Sequence, residues 1–194
     1  MSQKVQISVI GASEGEPEIL RDAEAVGRGI AEAGAVLVCG GLTGVMEAAS
    51  RGAAEAGGTI VAILPTLSPA DANPYVTHAI ATGTGHARNL AVVASGEAVI
   101  AVGGEWGTLS EIAYARKLGR PVVSVQSWPL RNRAGTDLGI VEAETPAEAV
   151  KAALSAAVVE PSSEERTAAA DDCLDQADVD PPKFGGRSAS RRGR

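Results

Sequence analysis

The chain has 194 residues, 45% of them hydrophobic and 3% aromatic, which predicts one well-packed aliphatic domain and little room for a second. Its formal net charge of −7 disfavours broad nucleic-acid binding, because such binding depends on many Lys and Arg contacts to phosphates. The cysteines, Cys39 and Cys173, lie far apart, so neither a disulfide framework nor a Cys-based metal site is expected. No signal-peptide pattern occurs and no apolar run approaches the ~20 residues of a membrane helix, which predicts a cytoplasmic protein without membrane contact.

The first third of the chain alternates β-branched runs with amphipathic helical segments. Residues 5–10 form a strand-like run that ends at Gly11, and Pro17 stands where a helix would begin. Gly34 is expected to end this helix. The next predicted elements are a strand at 36–39, a helix at about 45–56 and a strand at 59–64 that Pro65 stops. This alternation with short connections predicts an α/β fold with an open, mostly parallel sheet and right-handed crossovers.

The same alternation continues to about residue 159. The predicted elements are an irregular loop at 65–74, a short strand within 75–80, a helix from near Ala87, a strand at 97–102, a helix at 107–118, a strand at 122–125, and a helix at 146–158 that covers the sheet edge. From Glu160 onward the apolar periodicity is lost. We therefore expect a domain over 1–159 and a largely disordered, acidic-to-basic tail over 160–194.

Two glycine-rich turns follow predicted strands, Gly40-Gly41-Leu42-Thr43-Gly44 and Gly103-Gly104-Glu105-Trp106-Gly107-Thr108. In an open parallel sheet, ligands bind at the carboxyl ends of strands, where helix N-termini present free N–H groups. Glycine permits the positive φ angles and close backbone approach that a phosphate requires. Neither turn matches the dinucleotide or P-loop fingerprint. The sequence therefore predicts a phosphate cradle that lies principally at 103–108.

Two charged residues have both a structural and a functional interpretation. Glu111 follows Thr108 at the spacing of a capping box, in which both residues would only satisfy orphan amides. Arg88 at a helix start would be either a solvated side chain or a ligand of a bound anion, because the helix dipole does not favour a cation there. His78 and His86 lack a matching Cys or carboxylate cluster, so no metal site is expected.

Taken together and in order, the motifs resemble those of the Lonely Guy (LOG, SLOG) superfamily, and most closely its prokaryotic branch related to molybdenum cofactor carrier proteins. The resemblance covers roughly residues 5–158 and implies a Rossmann-like, three-layer αβα fold. The motifs that carry it are Cys39–Glu47, Asn73–Val76, Thr82-Gly83 with Ala87–Asn89, and Gly103–Glu111.

The resemblance also implies roles for individual residues. In the cytokinin-activating enzymes of this superfamily, a PGGxGTxxE motif binds phosphate through its glycines and threonine, and its glutamate works with an upstream arginine. The implied catalytic pair is Arg88 and Glu111. The implied ligand-binding residues are Gly40, Gly41, Gly44, Asn89, Gly103, Gly104, Gly107 and Thr108.

Three functions remain open at this stage. Val102 stands in place of the proline that opens the enzyme motif and Asn89 in place of a lysine, which favours a carrier or sensor of a nucleotide or pterin cofactor such as the molybdenum cofactor. Retention of Arg88 and Glu111 favours a nucleoside 5′-monophosphate phosphoribohydrolase, since a carboxylate near the anomeric carbon assists cleavage of the N-glycosidic bond. The third possibility is a purely structural or interaction protein that binds no phosphate. The resemblance further implies a homo-oligomer, dimer or larger, and no required metal.

Overall fold

A seven-stranded, wholly parallel sheet forms the centre of the computed structural model, which describes residues 4–131, 133–135 and 138–158. The strands are β1 (Gln6–Gly11), β2 (Val36–Cys39), β3 (Thr59–Leu64), β4 (His78–Ala81), β5 (Ala98–Val102), β6 (Val122–Val125) and β7 (Ile140–Ala143). Their order is β4-β3-β2-β1-β5-β6-β7, and every neighbouring pair is parallel. The predicted α/β class is confirmed. The predicted tail at 160–194 lies outside the described residues.

Five helices cover the two faces of this sheet and make it a three-layer αβα sandwich. They are α1 (Pro17–Glu32), α2 (Val45–Glu55), α3 (Arg88–Ser95), α4 (Trp106–Lys117) and α5 (Pro146–Val158). One apolar core lies between the sheet and α1, α2 and α5, and a second lies between the sheet and α3 and α4. All five residues of β5 are buried, as expected of a central parallel strand covered on both faces. None of the helices in the described part of the chain is long and apolar enough to cross a membrane.

The structure differs from the sequence prediction in three respects: the start of β4, the presence of β7 and the packing of α5. β4 begins at His78, because residues 75 and 76 belong to a turn in which the Asn73 side chain accepts a hydrogen bond from the Tyr75 amide at 3.2 Å. The edge strand β7 was not predicted, since it has only four residues and Val141 within it is exposed. The last helix, α5, was expected to cover the sheet edge, and it packs on β5 and β6 as well as on that edge.

The strand order reverses between β1 and β5, which places a crevice at their carboxyl ends. The loops that follow β1, β2 and β5 all emerge at this end of the sheet. Both predicted glycine turns are among these loops. The fold therefore brings the two turns to the same edge of the sheet, as the sequence predicted.

Helices α1 and α2 approach each other closely enough for their backbones to touch. A Cβ atom placed on Gly27 would overlap the carbonyl oxygen of Ala49, and one placed on Gly52 would overlap the carbonyl oxygen of Glu24. Glycine inside a helix costs about 0.5–1 kcal/mol relative to alanine. Here the missing side chains are what allows the contact between the two helices.

We expect Gly27→Ala to destabilise the fold by about 1–3 kcal/mol, because the added methyl group forces the two helix backbones apart and this outweighs the gain in helix propensity. Gly29→Ala on the same helix is the matched control, because its Cβ would lie 3.3 Å from the movable Val150 side chain rather than against backbone. Urea unfolding midpoints measure both effects. Equal stability of the two variants would contradict the backbone contact.

Candidate functional site

Arg88 is buried at the carboxyl end of the sheet, where it is the first residue of α3. Its guanidinium lies against the Cα of Gly40, so that any side chain at Gly40 would overlap it. Its Nη2 is 3.9 Å from the Met46 sulfur, and its Nε has no hydrogen-bond partner within the described residues. Burial lowers the pKa of Arg88, and the nearby charge of Glu111 opposes this. In the described part of the chain, no carboxylate forms a direct ion pair with Arg88. A buried cation in this situation costs free energy until an anion compensates it.

Glu111 is the carboxyl group that faces this cation. It lies in the second turn of α4 and is 6% exposed. Burial raises the pKa of Glu111 to about 7, and the Arg88 guanidinium limits the rise. A carboxyl group that titrates near neutral pH can both accept and donate a proton under physiological conditions.

Thr108 is the third residue of α4, because the helix begins at Trp106 and Glu105 is its N-cap. The capping-box interpretation of Thr108 and Glu111 is therefore wrong: Thr108 lies inside the helix, and Glu105 caps it with no side-chain hydrogen bond. The first N–H groups of a helix have no acceptor within it. The Thr108 hydroxyl is also buried, and it has no hydrogen-bond partner among the residues that the structure describes. This helix end thus has free amide donors together with an unsatisfied hydroxyl.

The turn before α4 requires both of its first two glycines. Gly103 and Gly104 have φ angles of 57° and 138°, in the region that favours glycine. A Cβ on Gly103 would lie 2.8 Å from the Ile19 side chain, and one on Gly104 would lie 2.9 Å from the Thr108 Cβ. The Thr108 side chain therefore faces the turn. Gly107 is exposed, with open space at its Cβ position.

The first glycine turn is held by neighbouring loops instead. The Val45 amide at the start of α2 donates to the Ala12 carbonyl at 3.0 Å, and the Thr43 hydroxyl donates to the Ser13 carbonyl at 2.9 Å. Gly44, with φ of 66°, packs directly against the Ser13 backbone. At least one donor at the start of α2 is thus already used within the fold.

Asn73 fixes this turn from the opposite side, a role that the sequence analysis did not assign. Its backbone N–H donates to the Gly41 carbonyl at 2.8 Å, and its side-chain Nδ2 donates to the Leu42 carbonyl at 3.1 Å. The Asn73-Pro74-Tyr75-Val76 motif was the available signal, although its partners become visible only in the fold. Asn73 thereby fixes the backbone of the turn whose Gly40 receives the Arg88 guanidinium.

The structure brings most of the predicted site residues to one end of the sheet. Arg88, Glu111 and Gly40 form one group, and Gly103, Gly104 and Thr108 form the adjoining turn. Asn89 is half-buried on α3, and its predicted ligand contact stays a prediction. Within the described residues, no group of three or more His, Cys, Asp or Glu side chains could hold a metal ion.

Comparison with known proteins shows the family and the fold of the chain. A model of the SLOG cluster4 family matches residues 4–157. An uncharacterized protein of Archaeoglobus fulgidus is 46% identical over 154 residues, which are 79% of this chain and 97% of that protein. The structure of the molybdenum cofactor binding protein of Rippkaea orientalis is similar, with a TM-score of 0.72 and 35% identity over 80% of this chain and 98% of its own. The molybdenum cofactor carrier protein of Chlamydomonas reinhardtii has a TM-score of 0.71 and 33% identity over 80% and 99%.

The Glu111 carboxyl should make the stability of the fold depend on pH. Its pKa is about 7 in the folded protein against an ordinary value of 4.5, so the stabilisation from proton binding is complete at low pH and is lost as pH rises through this interval. Glu111→Gln lacks this titration. Between about pH 5 and about pH 8, the free energy of unfolding of wild type should therefore fall by about 2–3 kcal/mol through this group. The variant should not show this fall.

Urea unfolding at both pH values measures this difference. Glu14→Gln, which changes an exposed carboxylate in a loop, is the control and should follow wild type. A difference between Glu111→Gln and wild type that does not change with pH would show that Glu111 is not buried as described.

Proposed function

The chain belongs to the SLOG cluster4 family, and we propose that it is a carrier or sensor that binds a phosphorylated nucleotide or pterin cofactor at the N-terminus of α4. The observation that carries this proposal is the unsatisfied Thr108 hydroxyl beside the uncapped first turn of that helix. An unsatisfied buried polar group costs about 1–3 kcal/mol. A phosphate supplies the acceptors that both the hydroxyl and the free amides lack.

Electrostatics support the same ligand class. The positive end of the α4 dipole favours an anion. The buried Arg88 cation, at the start of α3, lies near the Glu111 carboxyl of α4. The Gly103-Gly104 turn allows close approach of a ligand to the backbone, since neither residue has a side chain. A phosphate monoester needs only such local donors, so the overall charge of −7 does not oppose this proposal.

A molybdenum cofactor is a candidate cargo because two similar proteins are described as binding or carrying it. The residues present suit the phosphate of such a cofactor, since the start of α4 has no side-chain cap and the Thr108 hydroxyl has no partner within the described residues. In this proposal Thr108 and the glycine turn hold that phosphate. The metal would be bound by the cofactor itself and would enter and leave with it.

The phosphoribohydrolase remains the second candidate, and one observation favours it. Glu111 has a pKa of about 7 and lies beside a buried arginine, which suits a group that orients water or stabilises positive charge at an anomeric carbon. The carrier is preferred because Val102 and Asn89 depart from the enzyme motif. Under either function, a homo-oligomer and a cytoplasmic location stay predictions.

Thr108→Val tests the phosphate site with little change in shape. The substitution removes the unsatisfied hydroxyl, so the fold should be stabilised by about 1 kcal/mol, whereas affinity for GMP should fall about 10-fold or more. Urea unfolding and isothermal titration calorimetry measure the two effects. Ser110→Ala, which removes an exposed hydroxyl on the same helix, is the control and should leave affinity unchanged. Unaltered GMP binding by Thr108→Val would count against the proposed site.

Release of free base from a panel of nucleoside 5′-monophosphates distinguishes the two functions. For a carrier we expect no release above the level of Glu111→Gln, which is purified in parallel to measure contaminating hydrolase. Release by wild type that Glu111→Gln abolishes would replace the carrier with the phosphoribohydrolase and would assign Glu111 the catalytic role.

A further inference from the structure

Trp106 is the most conspicuous exposed aromatic residue at the carboxyl end of the sheet. It is the first residue of α4, yet its side chain is 77% exposed. Its ring centroid lies 5.5 Å from that of Trp128, with the ring planes inclined at 37°. An exposed indole of this size leaves a large apolar surface in water, which is unfavourable unless a ligand or partner covers it.

The position of Trp106 connects this surface to the phosphate site. Trp106 begins the helix whose first turn has the free amides, and Thr108 follows it by two residues. Side chains on a helix incline toward its N-terminus, so the indole projects toward the same end as those amides. Trp128 follows β6 just as the glycine turn follows β5, which places both indoles at the carboxyl edge.

A second feature is a pair of unsatisfied polar atoms in the segment that contains Trp128. The Trp128 Nε1 and the Ser127 hydroxyl are both buried and have no hydrogen-bond partner within the described residues. Buried indole N–H groups usually have an acceptor. A heterocycle has ring nitrogens and carbonyl oxygens that supply acceptors of this kind.

We propose that Trp106, supported by Trp128, is a stacking platform for a planar bicyclic heteroaromatic ring, and that this platform selects ligands carrying such a ring over simple sugar phosphates. The inference rests on the proposed function, because it assumes that the phosphate of the same ligand lies at the α4 terminus. Indole faces bind flat rings by offset stacking with little loss of side-chain freedom. The ring thus provides selectivity and the phosphate provides anchoring.

Intrinsic fluorescence is a direct test, because Trp106 and Trp128 are the only two tryptophans in the chain. Three probes separate ring from phosphate: GMP, guanosine and ribose 5-phosphate. We expect GMP and, at higher concentration, guanosine to quench the emission, while ribose 5-phosphate binds in calorimetry without quenching. Trp106→Ala should weaken GMP binding about 5- to 150-fold, the range for removal of a base-stacking aromatic, and leave ribose 5-phosphate affinity unchanged.

Two variants control for indirect effects. Trp106→Phe retains an aromatic face and should restore most of the GMP affinity. Tyr114→Ala removes another exposed aromatic side chain from α4 and should change the affinity for neither GMP nor ribose 5-phosphate. Urea unfolding checks that Trp106→Ala is folded, which is expected of a substitution at an exposed position.

The remaining outcomes separate this inference from the proposed function. Equal affinity for GMP and ribose 5-phosphate, unaltered by Trp106→Ala, would overturn the platform and leave the phosphate site intact. Guanosine binding that depends on Trp106 and gains nothing from the phosphate of GMP would support the platform and overturn the proposed phosphate site. Emission that changes with protein concentration and with none of the probes would overturn the platform, because a second copy of the chain would then cover Trp106. The phosphate site is overturned only if calorimetry also detects binding of neither GMP nor ribose 5-phosphate.

Discussion

The burial of the Arg88 guanidinium is the constraint on which the site depends. The guanidinium fits only because Gly40 has no side chain, and the conformation of the turn around Gly40 is fixed in turn by Asn73. Taking an arginine out of water without a direct ion pair is unfavourable, so the fold would not retain it for stability alone. Its nearest compensation is Glu111, whose own burial favours the protonated form. Glu111 therefore compensates the charge of Arg88 only in part.

Two glycine turns that look alike in sequence serve different purposes in the fold. In the first, the Val45 amide at the start of α2 is bonded to the loop after β1, and the glycines make room for Arg88 and for a neighbouring backbone. In the second, the amides at the start of α4 lie beside Gly103 and Gly104 with no side-chain cap. One turn thus positions the cation, and the other presents donors. Both are needed if an anionic ligand is to be held between charge and hydrogen bonds.

Unsatisfied polar atoms in a folded protein often mark the place where a ligand completes the structure. Among the described residues, four such atoms occur in segments at the carboxyl end of the sheet, in Arg88, Thr108, Ser127 and Trp128. The two apolar cores consist of buried hydrophobic side chains, which have no such polar atoms. A ligand with a phosphate at one end and a heterocycle at the other combines the chemistry that these segments lack.

The sequence by itself determined the order of strands and helices up to residue 125, the helix at 146–158 and both glycine turns, because β-branched runs and Gly or Pro stops are local signals. It did not reveal β7, in which Ile140 is the one buried residue. The spacing of Thr108 and Glu111 also allowed a capping-box interpretation, which the structure does not support. Only the tertiary structure decided that Thr108 lies inside α4, that Gly40 makes room for Arg88, and that Trp106 meets Trp128. The physical reason is that the contacts of Gly40 with Arg88 and of Trp106 with Trp128 join residues far apart in the chain, so no local pattern specifies them. The start of α4 depends in turn on the conformation of the glycine turn before it.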